Sequence, residues 1–480
     1  MRNAPVRVAA ALSFALLASC KVGPNYRPPA PLPGADAPLV SLNESLETTA
    51  QPPDTWWQLY SDARLDALIQ EAFSANRDLA AADANFSAAR AIVAAAKSAR
   101  YPSTGLGVGG IYGRDAITDE ILELGGHPPA TIWLFEDLFQ VGYEVDLFGR
   151  VRRSVEAARA NAQAAAAARD AVKVVVAAET ARAYAALCAL GEELNVSRHS
   201  LDVVSHEAEI TSNRRAAGAG SDYDVARAES LVAQVRSAIP PLEGQRRAAL
   251  FELTAILGRT PANAPHELES CIEPPHLSAL IPVGDGAALL KRRPDVRQAE
   301  RRLAAATAQI GIATADLYPT IHLAGLFGGA ASEFSQLQTN LGVTWGVGPA
   351  VSWTFPNQTG PRARIRQAKA NQRGALAQFD SVVLGALKET EEALSAYGAA
   401  LDNRQAIGDA QSKIHSAFDM AHGQFLAGAI SNLDLLTTEQ TLVAIDASVA
   451  ASDALLVQDQ IAVFKSLGGG WQGGAAKPAQ

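Results

Sequence analysis

Apolar and polar positions change period along this chain, from helical to alternating and back, and the whole cycle occurs twice. In the first cycle Leu65, Leu68, Ile69 and Ala72 recur at helical spacing, which predicts a helix from about Asp62 to Arg100, stopped by Pro102. Ser103 to Arg114 is rich in Gly and β-formers. Gln140 to Phe148 alternates, with Val141, Tyr143, Val145 and Leu147 facing one way and Gly142, Glu144 and Asp146 the other. From Arg150 to Ala217 the pattern is helical without a Pro. At about 1.5 Å per residue that helix reaches about 100 Å, a length of coiled coils and helical arrays. The helix that returns carries Val225, Ala228, Val232, Val235, Ile239 and Leu242 in a heptad seam, which we read as packing architecture. Pro240-Pro241 should break or kink it.

The second cycle repeats this order. A helix from Gly286 to Leu317 precedes Pro319, and strands are expected over Thr320 to Ala330 and Gly342 to Phe355, where Val343, Trp345 and Val347 alternate. Arg362 to Ala427 is again helical without a Pro, and Leu435, Leu442, Ile445 and Val449 keep part of the seam. The residues themselves repeat. Asn76-Arg-Asp-Leu79 through Tyr101-Pro102 returns as Arg293-Pro-Asp-Val296 through Tyr318-Pro319, 217 positions later. Glu179-Thr180 and Gly218-x-x-Ser221-x-x-Asp224 return 210 positions later as Glu389-Thr390 and Gly428-x-x-Ser431-x-x-Asp434. A repeat this long is a duplicated domain. The expected order is a signal over 1–19, an extended lipid-anchored segment over 20–60, a helix over 61–102, a β-hairpin over 103–148 and a long helical hairpin over 149–258. After a linker over 259–285 come a helix over 286–319, a hairpin over 320–356, a long helical hairpin over 357–468 and a flexible tail over 469–480.

Two hairpins of about ten-residue strands fit a membrane crossing, although alternation alone also suits a soluble hairpin with one wet face. Four strands cannot form an open sheet in a bilayer, because the edge N–H and C=O groups would face hydrocarbon unpaired. Membrane strands would therefore require a barrel shared between copies, and sequence geometry does not choose among two, three or four. The fold class expected is mainly α, a long coiled-coil helical barrel with four strands per chain contributed to a shared β-barrel.

Composition and the first residues add a location. Arg2 and Arg7 precede a short apolar run that ends in Leu17-Ala18-Ser19-Cys20, the pattern of a secretion signal with a lipobox at its cut. Acyl chains on Cys20 would anchor the chain in lipid, and Lys21 in place of an Asp favours the outer membrane. The formal charge of −9 becomes −11 once Arg2 and Arg7 are removed, which argues against nucleic acid as a partner. Beyond the signal there is no uncharged run of 18 apolar residues, so no transmembrane helix is expected. Only Cys188 and Cys271 then remain; they could pair, but nothing in their spacing asks for it.

Candidate chemistry is sparse. Gly105-x-Gly107-x-Gly109-Gly110 lies inside a strand pattern with no βαβ unit to frame a nucleotide site. His266, Cys271 and His276 sit five apart in a Pro-rich connector, a weak zinc signal. No nucleophile or acid–base constellation stands out. We expect no enzyme, no metal and no cofactor beyond the lipid on Cys20.

The motifs resemble those of the TolC-like outer-membrane factors, in particular the NodT-type lipoproteins of resistance-nodulation-division efflux systems. Cys20-Lys-Val-Gly-Pro-Asn-Tyr-Arg-Pro-Pro29, Trp56-Trp57-Gln-Leu-Tyr60-x-Asp62 and Tyr143-Glu-Val-Asp-Leu-Phe-Gly-Arg150 carry the likeness, and Leu290-Lys-Arg-Arg-Pro-Asp-Val-Arg297 through Ala315-Asp-Leu-Tyr-Pro319 is its most specific part. The resemblance implies a homotrimer with a 12-stranded barrel, a helical barrel below it and an equatorial collar near the linker. It also implies a periplasmic adaptor at the helical tips and an inner-membrane pump that supplies energy. Matched position by position, the tips are Arg215-Ala-Ala-Gly218-x-x-Ser221 and Phe425-Leu-Ala-Gly428-x-x-Ser431. Gly suits the tight turn and Ser can cap the next helix. After the second tip the sequence departs from the family, with Thr437 and Gln440 where relatives often carry an Asp and an Arg that help close the aperture. The expectation here is that Leu433 narrows the pore and that Asp434 or Glu439 supplies charge. The implied function is a passive exit duct for small molecules; protein or metal-ion export, or a coiled-coil lipoprotein without a pore, are the alternatives.

Overall fold

The computed structural model describes residues 21–41, 47–48, 50–114, 120, 123–126, 128–277, 280–284, 286–340 and 342–471. The expected signal, the Cys20 anchor and the end of the tail lie outside the described residues. In chain order the elements are β1 (Glu47–Thr48), α1 (Ala63–Ala75), α2 (Arg77–Ser98), β2 (Ser103–Gly113), β3 (Ile132–Val145), α3 (Arg150–Ala216) and α4 (Asp222–Ile256). After β4 (Ile281–Pro282) follow α5 (Gly286–Arg292), α6 (Pro294–Ala315), β5 (Thr320–Ala331), β6 (Val343–Ser352), α7 (Thr359–Leu426) and α8 (Asn432–Ser466).

The single helix expected at the head of each copy is two helices in both. The first break is at Asn76, whose backbone is extended. Its Nδ2 donates to the Ile256 carbonyl at 3.0 Å, and its Oδ1 accepts from Leu79 N at 3.0 Å. The second break is at Arg293, just before Pro294, and its guanidinium donates to the Ser466 carbonyl at 2.8 Å. Ile256 and Ser466 are the last residues of α4 and α8, equivalent across the repeat. Each break thus supplies a side chain to a carbonyl that the end of a long helix leaves unpaired. Pro294 marks the second break in the sequence, whereas nothing local marks the first, which serves a partner helix far away in sequence.

The chain divides into two compact units. One comprises residues up to 29, 86–165 and 299–379, and holds the sheet. Its strands are antiparallel in the order β2-β3-β5-β6, so β2 and β6 are its edges. Strand β3 begins at Ile132, well before the expected Gln140. Ile132-Trp-Leu-Phe-Glu-Asp-Leu-Phe does not alternate, so a two-residue period cannot reveal it; pairing with β2 extends it.

The other unit comprises 30–85, 166–298 and 380–480. Its core gathers Trp56, Trp57 and Tyr60 with the Ala-rich middle of α3 and the ends of α4 and α8. Trp56 stacks on Phe464 with centroids 4.9 Å apart, and Tyr184 Oη donates to Asp62 Oδ2 at 2.8 Å. Cys188 and Cys271 form a disulfide that ties α3 to the segment after α4. A Cβ at Gly191 would stand 2.1 Å from the Cys271 carbonyl oxygen, so the segment lies directly on α3. Pro240 and Pro241 do not break α4, which runs helical through both. The tail is also not free at its start: Gly469 packs on Trp56, and Trp471 Nε1 donates to the Arg292 carbonyl at 3.2 Å. The seam residues Ala228 and Val235 are buried with Leu231, against Val204 of α3 and Leu436 of α8. By length and composition α3 and α8 each hold an 18-residue window apolar enough for a membrane, 72% buried in α3 and 28% in α8. The burial of its window marks α3 as a core helix.

Candidate functional site

Strand register decides which side chains share a face, because directly opposed residues point the same way. Leu106 stands opposite Phe139, Phe139 opposite Phe327, and Phe327 opposite Trp345. Neighbouring rows continue that face with Val141 and Val347, then Tyr143, Leu323 and Pro349. Leu106, Phe327 and Trp345 are exposed by 72%, 61% and 73%. On the other face Gly105, Gln140, Leu326 and Gly346 form one row, and Glu144, His322 and Ala350 another. One face is therefore large and apolar with no core against it, and the other is mostly small or polar. A soluble hairpin buries its apolar face; a strand in a barrel wall shows it to lipid.

Asp137 is the charged exception on the apolar face. Its carboxylate accepts from Gly329 N and from Gln338 Nε2, which ties it to the turn between β5 and β6. A Cβ at Gly328 would stand 1.7 Å from the Asp137 carbonyl oxygen, so only Gly permits that approach. Aromatic residues mark both ends of the strands. Tyr112, Trp133 and Phe135 pack together at the hairpin end, with centroids 5.3 and 5.4 Å apart. Phe148 stacks on Tyr318 at 4.5 Å and Trp353 on Phe355 at 4.7 Å, where the strands give way to helices. Aromatic pairs at both strand ends match the girdles of a membrane barrel, and the row between them also carries Phe139, Phe327 and Trp345. Sequence reading missed them, although aromatics at matching strand ends are visible in the chain.

The tips are built alike in both copies. Gly218 has φ +76° and Gly428 φ +72°. Gly218 N donates to the Arg215 carbonyl at 3.0 Å and Ala219 N to that of Arg214 at 2.8 Å. Gly428 N and Ala429 N repeat this with Phe425 and Gln424 at the same distances. This is a Schellman motif, closed by a residue in the left-handed region. Ser221 Oγ then accepts from Asp224 N at 3.2 Å while Asp224 Oδ2 accepts from Ser221 N at 3.1 Å, a reciprocal capping box. Ser431 and Asp434 form the same box at 3.2 Å in both directions. Nothing lies within 4 Å of a Cβ built on Gly218 or Gly428, so the tip surface is open. Chemically the tips differ. Arg215 pairs with Asp222 at 2.7 Å on the surface, whereas Phe425 is buried under the Arg214 guanidinium, 4.3 Å from its ring centroid.

The residues expected at the aperture separate. Leu433 is exposed and shares a face of α8 with Thr437 and Gln440. Asp434 has its carboxylate engaged in the Ser431 cap. Glu439 does not present charge to a lumen: it is fully buried, on the face of Leu435, Leu436 and Leu442. Neither Glu439 oxygen has a hydrogen-bond partner among the described residues. Burial, reinforced by the neighbouring Glu207, raises its carboxyl to about 7. Glu207 is itself buried, with His422 Nε2 3.1 Å from its Oε1. Sequence reading missed this pair because the partners come from α3 and α8. In the linker, Cys271 is in the disulfide, and His266 and His276 pair separately with Glu269 and Glu273.

The outer membrane efflux protein family model matches residues 68–259 and 287–469, one stretch per repeat. Nodulation protein T of Rhizobium leguminosarum bv. viciae is 29% identical, over 97% of this chain and 94% of its own. The probable outer membrane lipoprotein SilC of Salmonella typhimurium is 26% identical, over 95% of this chain and 97% of its own. Among solved structures, the outer-membrane channel OprN superposes with a TM-score of 0.87 at 31% identity, covering 94% of this chain and 100% of that one.

Proposed function

The chain belongs to the outer membrane efflux protein family and is an outer-membrane efflux channel, and on that premise we propose that three copies close into a passive exit duct for small molecules. The observation that carries this reading is the two-faced sheet with two open edges. In hydrocarbon the edge groups of β2 and β6 need partners. Pairing β6 of one copy with β2 of the next satisfies them, and three copies give a closed wall of twelve strands. Small and polar residues on the inner face leave a wet lumen, and the apolar face meets lipid. The weakly buried apolar window of α8 supports close packing of copies along the helices as well.

In this reading Cys20 carries the acyl anchor. The periplasmic adaptor docks at the tips, Arg215 to Ser221 and Phe425 to Ser431, and an inner-membrane pump of the resistance-nodulation-division class supplies energy. Leu433 narrows the aperture with the polar Thr437 and Gln440 beside it, and charge comes from neither Asp434 nor Glu439. The chain itself catalyses no reaction and needs no cofactor. Accumulation of a panel of dyes and antibiotics tests the reading, in cells without the chain and in cells given back the parent or a form with Gly218→Trp and Gly428→Trp. Higher accumulation without the chain, rescued by the parent alone, is expected. No change for any compound would move the cargo to protein or metal ions.

A further inference from the structure

A cleft in the unit that carries the sheet is lined by five cations, Lys21, Arg100, Arg152, Arg159 and Arg301, against one carboxylate, Glu156. Three of the cations are held in place: Lys21 by Glu156 at 2.5 Å, Arg152 by Asp146 at 3.1 Å and Arg301 by Glu300. Arg100 and Arg159 are exposed, and no ion-pair partner is found for them among the described residues. The cleft therefore keeps an excess of positive charge. One wall is fixed by Arg153, which is fully buried and donates to the carbonyls of Val22 and Gly23 at 3.1 and 2.9 Å and to Asn25 Oδ1 at 3.0 Å.

The position of the cleft says what it meets. Val22 N donates to the Phe148 carbonyl at 3.2 Å, just past β3, and a Cβ on Gly149 would stand 3.1 Å from Lys21 Cα. Arg100 lies just before β2, and Arg152 is in the first turn of α3. The cleft is thus level with the junction of strands and helices. With the strands in hydrocarbon, that level is the headgroup layer of the periplasmic leaflet. Lys21 also follows the acylated residue, whose chains can enter only lipid, so this side of the wall faces lipid and not the lumen.

We propose that this cleft binds the phosphate of an anionic phospholipid headgroup in the periplasmic leaflet, a site that rests on the membrane-strand and Cys20-anchor readings above. Each cation near an anionic leaflet strengthens association by about fivefold. The bound headgroup would fix the depth and register of the wall at the point where the anchor joins it.

The test uses the full acylated oligomer in detergent micelles, titrated with phosphatidylglycerol or phosphatidylcholine and read by native mass spectrometry. Phosphatidylglycerol should bind more tightly, and the double variant Arg100→Gln, Arg159→Gln should weaken it by roughly 30-fold without changing phosphatidylcholine binding. Equal affinity for the two lipids, or unchanged phosphatidylglycerol affinity in the variant, would overturn the site. Displacement of phosphatidylglycerol by inorganic phosphate at a concentration equal to that of the lipid would also overturn it, as a free-anion site. If the double variant does not assemble, Glu156→Gln replaces it, with about fivefold tighter phosphatidylglycerol binding expected and no change refuting the proposal. The mass of the N-terminal peptide separates the two readings. An unmodified Cys20 would sink the anchor reading, whereas an acylated protein without lipid preference would sink only the headgroup site.

Discussion

Replacing Glu439 by Gln should stabilise the tip region at alkaline pH and leave it nearly unchanged in acid. Glu439 is fully buried in α8, both carboxylate oxygens lack partners among the described residues, and Glu207 is the charge that faces it. Burial first, and Glu207 second, raise the carboxyl from 4.5 to about 7. Because the folded state holds this proton more tightly than the unfolded state does, the contribution of Glu439 to stability is greatest below about pH 4.5. It falls as pH rises from there to about 7 and is flat above. At about 1.4 kcal/mol per pH unit, the ionised carboxylate costs the folded state up to about 3 kcal/mol. Gln keeps the shape and cannot ionise. The gain from Glu439→Gln should therefore approach about 3 kcal/mol at pH 8 and shrink to a fraction of that at pH 5. Hydrogen exchange of the amides from Leu435 to Leu442 in the assembled oligomer reads this locally, after correction for intrinsic exchange at each pH. Parent and variant equally protected at pH 8 would refute the reasoning, as would a variant less protected than the parent there.

Other perturbations test other parts of the molecule. Arg in place of Phe327, in the middle of the apolar face, should cost about 2–4 kcal/mol and abolish the heat-modifiable barrel, whereas Arg in place of Gln140 on the opposite face should be tolerated; equal effects would undo the face assignment. Opening the Cys188–Cys271 bond, which closes a separation of 83 residues, should lower stability by up to about 4 kcal/mol, seen as a drop in thermal midpoint on adding reductant to the parent but not to Cys188→Ser, Cys271→Ser. Ser221→Ala and Ser431→Ala should each cost about 1 kcal/mol of local stability through loss of the cap, measured by hydrogen exchange at the start of α4 and α8.

Much of this architecture was legible because it rests on local rules. A change of hydrophobic period marked strands and helices, Gly with Ser marked the tip turns, and the repeat showed that both copies share one plan. What the chain hid depends on residues distant in sequence. Asn76 reads as an ordinary helix position until the Ile256 carbonyl is beside it. The start of β3 has no alternation, because aromatic packing and pairing with β2, not a wet face, select its residues. Glu439 reads as a surface charge near a pore; its spacing from Leu435 and Leu442 already puts it on the inward face, and only the facing Glu207 comes from a distant part of the chain. The disulfide needed the segment after α4 to fold back onto Gly191, which no spacing rule encodes.

Comparing the two copies separates what the fold requires from what each copy does. The left-handed Gly, the two turn hydrogen bonds and the capping box are the same at both tips, to within about 0.1 Å. Those features are backbone necessities for joining two long helices, so their repetition says nothing about a partner. The differences are informative. Arg215 stands where the second copy has Phe425, so one tip exposes an Arg215–Asp222 ion pair and the other buries an aromatic ring beneath Arg214. Glu229 is exposed where Glu439 is buried, so only the second hairpin carries the titratable pair with Glu207. Two backbones of one design therefore present two surfaces, and any protein that docks at the tips meets two kinds of site on each chain. An adaptor that used both would be insensitive to exchanging the two tip sequences only if it read the backbone turn alone. Exchange of residues 215–222 with 425–432 that abolishes efflux while the oligomer still assembles would show instead that the side chains are read.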